Sequence, residues 1–207
     1  MFTGIIEAVG RIDAVEPLGA EPRFGVRLII DAATLSLDDV AIGDSISIQG
    51  ACMTVVEFSA KRFAVDVSQE SLTHTAGLDA PGPVNLEKAM KPDMRLGGHL
   101  VSGHVDGLGR VTHFAPVGES WELRILAPAE IGSYLAYKGS VAVNGVSLTV
   151  NAVTDLADGT EISINLIPHT VEVTTLHRLA PGSLVNLEVD LIARYVKRML
   201  ESSGRLT

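Results

Sequence analysis

Gly43-Asp44-Ser45-Ile46-Ser47-Ile48-Gln49-Gly50-Ala51-Cys52-Met53-Thr54-Val55 reads a second time as Lys138-Gly139-Ser140-Val141-Ala142-Val143-Asn144-Gly145-Val146-Ser147-Leu148-Thr149-Val150. Two further blocks repeat in the same order. Thr3-Gly4-Ile5-Ile6-Glu7-Ala8-Val9-Gly10-Arg11-Ile12 returns as Ser102-Gly103-His104-Val105-Asp106-Gly107-Leu108-Gly109-Arg110-Val111. Ala80-Pro81-Gly82-Pro83-Val84-Asn85-Leu86-Glu87 returns, one residue longer, as Ala180-Pro181-Gly182-Ser183-Leu184-Val185-Asn186-Leu187-Glu188. Three ordered blocks at an offset of 95 to 101 residues are a duplication. That period is too long for a solenoid unit, so each copy should be a whole domain.

Within each copy the periodicity is that of strands. Ser45-Ile46-Ser47-Ile48, Phe63-Ala64-Val65-Asp66-Val67, Ser140-Val141-Ala142-Val143 and Ile162-Ser163-Ile164-Asn165-Leu166 alternate with period two, and Val26 to Ile30 is an apolar run of strand length. Turn formers divide them, among them Gly50, Pro81-Gly82, Gly118, Gly145, Asp158-Gly159 and Pro181-Gly182. Many short strands at this spacing predict an all-β fold, a small barrel or sandwich, which the duplication makes into two barrels. One segment differs: after Asp190, at an N-cap position, Ile192, Tyr195, Val196, Met199 and Leu200 share a helical face, and Gly204 lies past its end. Such a face either packs on its own barrel or pairs with copies of itself. The expected organisation is a first barrel over 1–99, a second over 100–189, and a C-terminal helix and tail over 190–207. Each barrel is expected to carry its own pocket.

Composition narrows the class. Of 207 residues, 46% are hydrophobic and mean hydropathy is +0.30, yet no apolar run approaches the roughly 18 residues of a membrane helix. The N-terminus meets Glu7 with no basic stretch before it, unlike a signal peptide. The expected location is the cytoplasm. A net charge of −9 without a basic stripe disfavours nucleic acid. The single cysteine, Cys52, excludes an internal disulfide and a cysteine-rich zinc site. His99 and His104, an odd number of residues apart, would face opposite sides of a regular strand, and no metal site is expected.

The chain resembles the riboflavin synthases over nearly its whole length. The resemblance is carried by Met1-Phe2-Thr3-Gly4-Ile5, by Gly97-Gly98-His99-Leu100-Val101-Ser102-Gly103-His104-Val105-Asp106-Gly107, by the two elements ending Thr54-Val55 and Thr149-Val150, and by Leu166-Ile167-Pro168-His169-Thr170. It implies two six-stranded Greek-key β-barrels and a C-terminal α-helix that assembles a homotrimer. It implies a transferase of riboflavin biosynthesis that dismutates two molecules of 6,7-dimethyl-8-ribityllumazine. One gives a four-carbon unit to the other, yielding riboflavin and 5-amino-6-ribitylamino-pyrimidinedione. No metal or redox cofactor is implied, because carbon is exchanged between two copies of one substrate. The site is expected between barrels of different subunits, and lumazine synthase is a candidate associate.

That reaction needs two rings held together, a nucleophile added to one, and a proton removed from a methyl group of the other. His104 is the first proton-transfer candidate, since imidazole moves protons near neutral pH. An ordinary histidine in a glycine-rich turn would be structural; the motif favours function. Cys52 can be a thiolate nucleophile or a small buried thiol. Its counterpart Ser147 points to a shared ring-contact position. Ser45 and Asp190 complete the catalytic candidates, Asp190 also serving as an N-cap. The expected pocket walls are Gly4, Ile5 and Ile6; Met53 and Thr54; Asp66, Val67, Ser68 and Ser71; Gly103 and Val105; Lys138; Leu148 and Thr149; and Asn165, Leu166, Ile167 and Thr170. Strand threonines and solvated lysines are common, so Thr54, Thr149 and Lys138 rest on the resemblance. Gln49 stands where the family shows asparagine and Met53 where it shows leucine; the longer amide is expected to shift one hydrogen bond. Two other classes compete: a non-catalytic lumazine or flavin binder of the same fold, and a flavoprotein reductase, which would need a nucleotide-binding βαβ unit that is not apparent here.

Overall fold

The computed structural model describes residues 1–21 and 24–204. The alternating stretches form β1 (Ala8–Pro17), β2 (Val26–Asp31), β3 (Ser45–Ile48), β4 (Ala51–Phe58), β5 (Arg62–Val67) and β6 (Gly82–Lys88), and the second copy repeats them. Its strands are β7 (Gly107–Val117), β8 (Ser120–Ala127), β9 (Ser140–Val143), β10 (Val146–Leu156), β11 (Gly159–Leu166) and β12 (Leu184–Val189). Each set closes into an antiparallel barrel, in the order β1-β2-β5-β4-β3-β6 and its equivalent β7-β8-β11-β10-β9-β12. Three hairpin-linked strands, with an earlier strand returning beside the third, make the Greek key. Short helices α1 (Gln69–His74), α2 (Ala129–Gly132) and α3 (Pro168–Glu172) and a 3₁₀ turn (Thr175–Arg178) lie in the connections; α4 (Leu191–Ser202) follows β12. The last three residues of the expected tail, 205–207, lie outside the described residues.

Period-two alternation turns one side of every strand inward. Ile12, Leu28, Ile30, Ile46, Ile48, Val55 and Val65 fill the first barrel, and Val111, Leu123, Ile125, Val141, Val143, Val150, Ile162 and Ile164 the second. Pairing registers slip between Ile12/Ala14 and Val55/Glu57 in the first barrel, and at the matching Val111/His113 and Val150/Ala152 in the second. A bulge gives a strand the extra bend that a six-stranded barrel demands. The duplication preserved the corners as well as the core.

The barrels meet on a pseudo-twofold axis through the tips of two hairpins. Gln49-Gly50 and Asn144-Gly145 both have positive φ, 51° and 89° in one turn, 49° and 82° in the other. This is the two-residue turn whose twist suits a tight hairpin. A Cβ on Gly50 would sit 2.6 Å from the nitrogen of Gly145, so glycine is what lets the tips touch. Around them lies a shared amide network. Asn85 Nδ2 donates to the Asn144 carbonyl (2.9 Å) and Asn186 Nδ2 to the Gln49 carbonyl (2.9 Å). Gln49 Oε1 accepts from the Asn85 amide (3.0 Å) as Asn144 Oδ1 accepts from that of Asn186 (2.8 Å). The longer amide at Gln49 therefore keeps the bond expected to shift, and that residue belongs to the barrel contact.

A second pair of contacts braces the segments that lead into each barrel. Glu87 on β6 accepts from the Thr3 amide (2.6 Å), the Thr3 hydroxyl (2.7 Å) and the Gly4 amide (3.0 Å). Glu188 on β12 does the same for the Ser102 amide (2.6 Å) and hydroxyl (2.7 Å), the Gly103 amide (2.9 Å) and the His104 amide (3.1 Å). Burial pushes the Glu87 carboxyl above its usual range, and the donors from Thr3 and Gly4 offset part of that rise. Removing either acceptor strands several buried donors. Glu87→Ala and Glu188→Ala are each expected to cost about 3 kcal/mol in urea unfolding, whereas Glu119→Ala, on an exposed turn, should fall within about 0.5 kcal/mol of the parent.

Candidate functional site

The braced segments run antiparallel to each other between the barrels. Phe2 and Val101 exchange backbone bonds of 2.7 and 3.1 Å, and both side chains are buried with Ala142. Each segment then crosses to the barrel that it does not lead into. The Ser147 amide donates to the Gly4 carbonyl at 2.8 Å, and the Cys52 amide to the Gly103 carbonyl at 2.8 Å. Gly4 and Gly103 have φ of +76° and +80°, and a Cβ on either would lie 2.6 Å from the Cβ of its partner residue. Neither conformation nor space admits another residue.

The pocket elements expected of each barrel are joined, in the first barrel, by a segment of the other copy. The first pocket, a cavity of about 340 Å³, is lined by Cys52 and Met53 of β4, by Glu70, Ser71, His74 and Thr75 of α1 and its end, and by Gly103, His104 and Val105 of the crossing segment. Gly4 meets Ser147 as Gly103 meets Cys52, and Ile6 packs against the core of the second barrel. His104 therefore serves the first barrel, in the cavity with Cys52. That cavity needs both copies.

The remaining candidates divide. On β4 and β10, Cys52 and Thr54, like Ser147 and Thr149, point away from the core, while Met53 and Leu148 are buried within it. Val67 and Leu166 are likewise core residues. Ser68 caps α1, its Oγ accepting from the Ser71 amide at 3.1 Å. Asp66 pairs with both guanidinium nitrogens of Arg27, at 2.7 and 3.0 Å, which holds its carboxyl below the usual range. Asn165 Oδ1 accepts from the Ser120 hydroxyl at 2.7 Å. Ile167 is exposed and the Thr170 carbonyl accepts from the Thr174 hydroxyl at 2.6 Å. Lys138 is exposed, its Nζ donating to Asn151 Oδ1 at 3.1 Å. Ser45 lies across from Thr54 and opens on a different cavity, about 490 Å³, beside Lys88, Asp39 and Lys91. Within one chain, Ser45 and Lys138 are apart from Cys52 and His104.

His99, weighed in the sequence only as a metal ligand, has a different place. It is 8% exposed, its Nδ1 lies 2.7 Å from Ser147 Oγ, and its Nε2 is buried without a hydrogen-bond partner. Burial pushes the ring's pKa down, and the charge of Asp190 pulls it partly back. A neutral ring with its proton on Nε2 can accept the Ser147 hydroxyl hydrogen through Nδ1, the arrangement of a nucleophile and its base. Gly98 permits the approach, since a Cβ there would lie 2.8 Å from Ser147 Oγ. Asp190 caps α4 through the Ile192 amide (2.9 Å). His99 and His104 thus part company across Gly103, one buried on Ser147 and the other in the cavity with Cys52.

Two closed barrels of one design, each touched by the leading segment of the other, define a duplicated small-barrel binding protein. The lumazine binding domain model matches residues 3–89 and 102–190, and the chain belongs to that family. Full-length relatives are riboflavin synthases. That of Photobacterium phosphoreum is 48% identical over 97% of this chain and 89% of its own. That of Mycobacterium bovis is 42% identical over 99% and 100%. Among solved structures, LumP complexed with riboflavin covers 91% of this chain and 99% of its own, with TM-score 0.74 and 25% identity.

If Ser147 and His99 act as one unit, Ser147→Ala and His99→Gln should each lower kcat by about 10²–10³, and the double variant by no more than the worse single. Because the folded protein resists charging His99, stability should also be lost as pH falls from about 6.5, the ordinary imidazole value, toward the lower folded one. His99→Gln should flatten that slope in urea titrations.

Proposed function

We propose that the protein acts as a riboflavin synthase, joining two molecules of 6,7-dimethyl-8-ribityllumazine by four-carbon transfer. The products are riboflavin and the ribitylamino-pyrimidinedione. The observation that carries the reading is the pair of reciprocal crossings: one frame, built twice, with Cys52 followed across by His104 in one copy and Ser147 by Ile5 in the other. Two identical substrates must play unlike parts, and two alike pockets with unlike functional groups supply that difference. Positioning two rings can lower the barrier by roughly 7–11 kcal/mol; a base at the methyl group adds about 10²–10⁴-fold.

On this reading the two rings meet where pockets of different chains face each other. α4 supports a homotrimer as the assembly. Its inner side holds to its own barrel, Arg194 to Asp106 at 2.7 Å and Lys197 over the Tyr134 ring at 4.3 Å. Its outer side leaves Ile192, Tyr195 and Met199 between 63% and 69% exposed. The helix packs on its own barrel by one side, and its exposed side is free to pair with copies of itself. No helix among the described residues is long and apolar enough to cross a membrane, and a cytoplasmic enzyme working beside a lumazine synthase completes the reading.

The second reading, a non-catalytic lumazine or flavin binder, is favoured by the LumP neighbours, one of them complexed with 6,7-dimethyl-8-(1'-D-ribityl) lumazine. Turnover decides between them: purified protein given the lumazine should form riboflavin, detected by its absorbance, and tight binding without product would leave only a binder. His104→Gln should reduce kcat far more than it weakens lumazine binding. A combined Ile192→Glu and Met199→Glu change should give monomers in sedimentation that bind lumazine but turn over poorly. High protein concentration should recover part of the rate.

A further inference from the structure

The two copies can be superposed through hydrogen bonds that repeat after β5 and β11. Thr75 Oγ1 donates to the Ser71 carbonyl at 2.7 Å, and Thr174 Oγ1 to the Thr170 carbonyl at 2.6 Å. One residue before each threonine stands His74 in the first copy and Val173 in the second. His74 lines the first cavity together with Cys52 and His104. Its valine counterpart has no polar atom beyond the backbone.

The ring of His74 is held in one protonation pattern. Nδ1 lies 2.8 Å from the Glu70 carbonyl and 3.2 Å from Thr73 Oγ1. A carbonyl only accepts, so Nδ1 carries a proton. The Thr73 hydroxyl hydrogen is already given to the Glu70 carbonyl at 2.7 Å, which leaves the Thr73 oxygen to accept as well. In the neutral ring the lone pair is therefore on Nε2. Among the described residues no hydrogen bond fixes the ring of His104 in this way. The first pocket thus has a pre-set acceptor on α1 that the second lacks.

We propose that His74 is a further specificity-determining residue: through Nε2 it accepts a hydrogen bond from an O–H or N–H donor of the lumazine in the first pocket. The proposal rests on the lumazine reading above. It gives the two pockets unequal affinities for one molecule, because an uncharged acceptor stands in one where Val173 stands in the other. The other titratable groups lining the first pocket are Glu70 on the same helix, Cys52 on β4 and His104 on the crossing segment.

The test is a fluorescence titration of the full chain with 6,7-dimethyl-8-ribityllumazine at pH 7.5. Wild type should bind in two steps. His74→Val, on an exposed helix position, should weaken one step about fivefold and leave the other alone. His74→Gln, whose side-chain oxygen can accept, should restore that step. Equal effects on both steps, or none, would overturn the proposal. So would a loss in His74→Val that His74→Gln does not restore. Loss of binding in wild type at both steps would instead sink the lumazine reading, and this inference with it.

Discussion

A backbone segment can lie buried between two barrels only if something accepts from its amides. Glu87 and Glu188 meet that requirement, and the pockets depend on it. Each carboxylate fixes the strand-like run that enters its own barrel, and so aims the glycine after it at the neighbouring barrel. Gly4 reaches Ser147 and Gly103 reaches Cys52 because the residues before them cannot move. The hairpin tips at Gly50 and Gly145 set the distance between barrels; the carboxylates set the direction of what passes between them. A carboxylate is suited to this, since it offers two oxygens to converging donors and has no hydrogen to oppose them when ionised.

Once such a frame exists twice in one chain, its functional groups are free to differ. Backbone bonds at Cys52 and Ser147 are the same, so the side chains there can be thiol or hydroxyl without disturbing the fold. Only Ser147 has a buried imidazole within reach, because Gly98 allows the linker to pass close enough to place His99. In the first copy the imidazoles come instead from His74 and His104, at the mouth of the pocket. The same skeleton therefore offers an enclosed hydroxyl–imidazole pair on one side and exposed imidazoles with a thiol on the other.

The barrels were legible because they are local. Alternation in Ser45–Ile48 and Ser140–Val143 fixes which side chains face inward, and Gly50 and Gly145 mark turns whatever surrounds them. Helix α4 was legible for the same reason, through the Asp190 cap and the spacing of Ile192, Tyr195 and Met199. The site was only half legible. Residue types at Cys52, His104 and Ser147 stand out by comparing copies, but which of them share a pocket depends on chain segments crossing a pseudo-twofold axis. His99 was weighed only against His104, because its actual partner Ser147 is 48 residues away. Glu87 and Glu188 close the third repeated block, and that matched pair of buried acids was the signal available for the brace. His74 has no counterpart in kind, so repetition concealed it.

The reciprocal crossing bears on how such a chain arises. A single repeat folded alone would have its pocket open on one side and its leading segment with nowhere to lie. Two identical repeats, as separate chains, could satisfy each other by the same exchange, each lending its leading segment under an isologous twofold. Fusion into one chain keeps that geometry while ending the requirement that both halves be alike. The hydroxyl–thiol and imidazole–aliphatic differences between the pockets are what a symmetric dimer could never encode, and a joined gene can.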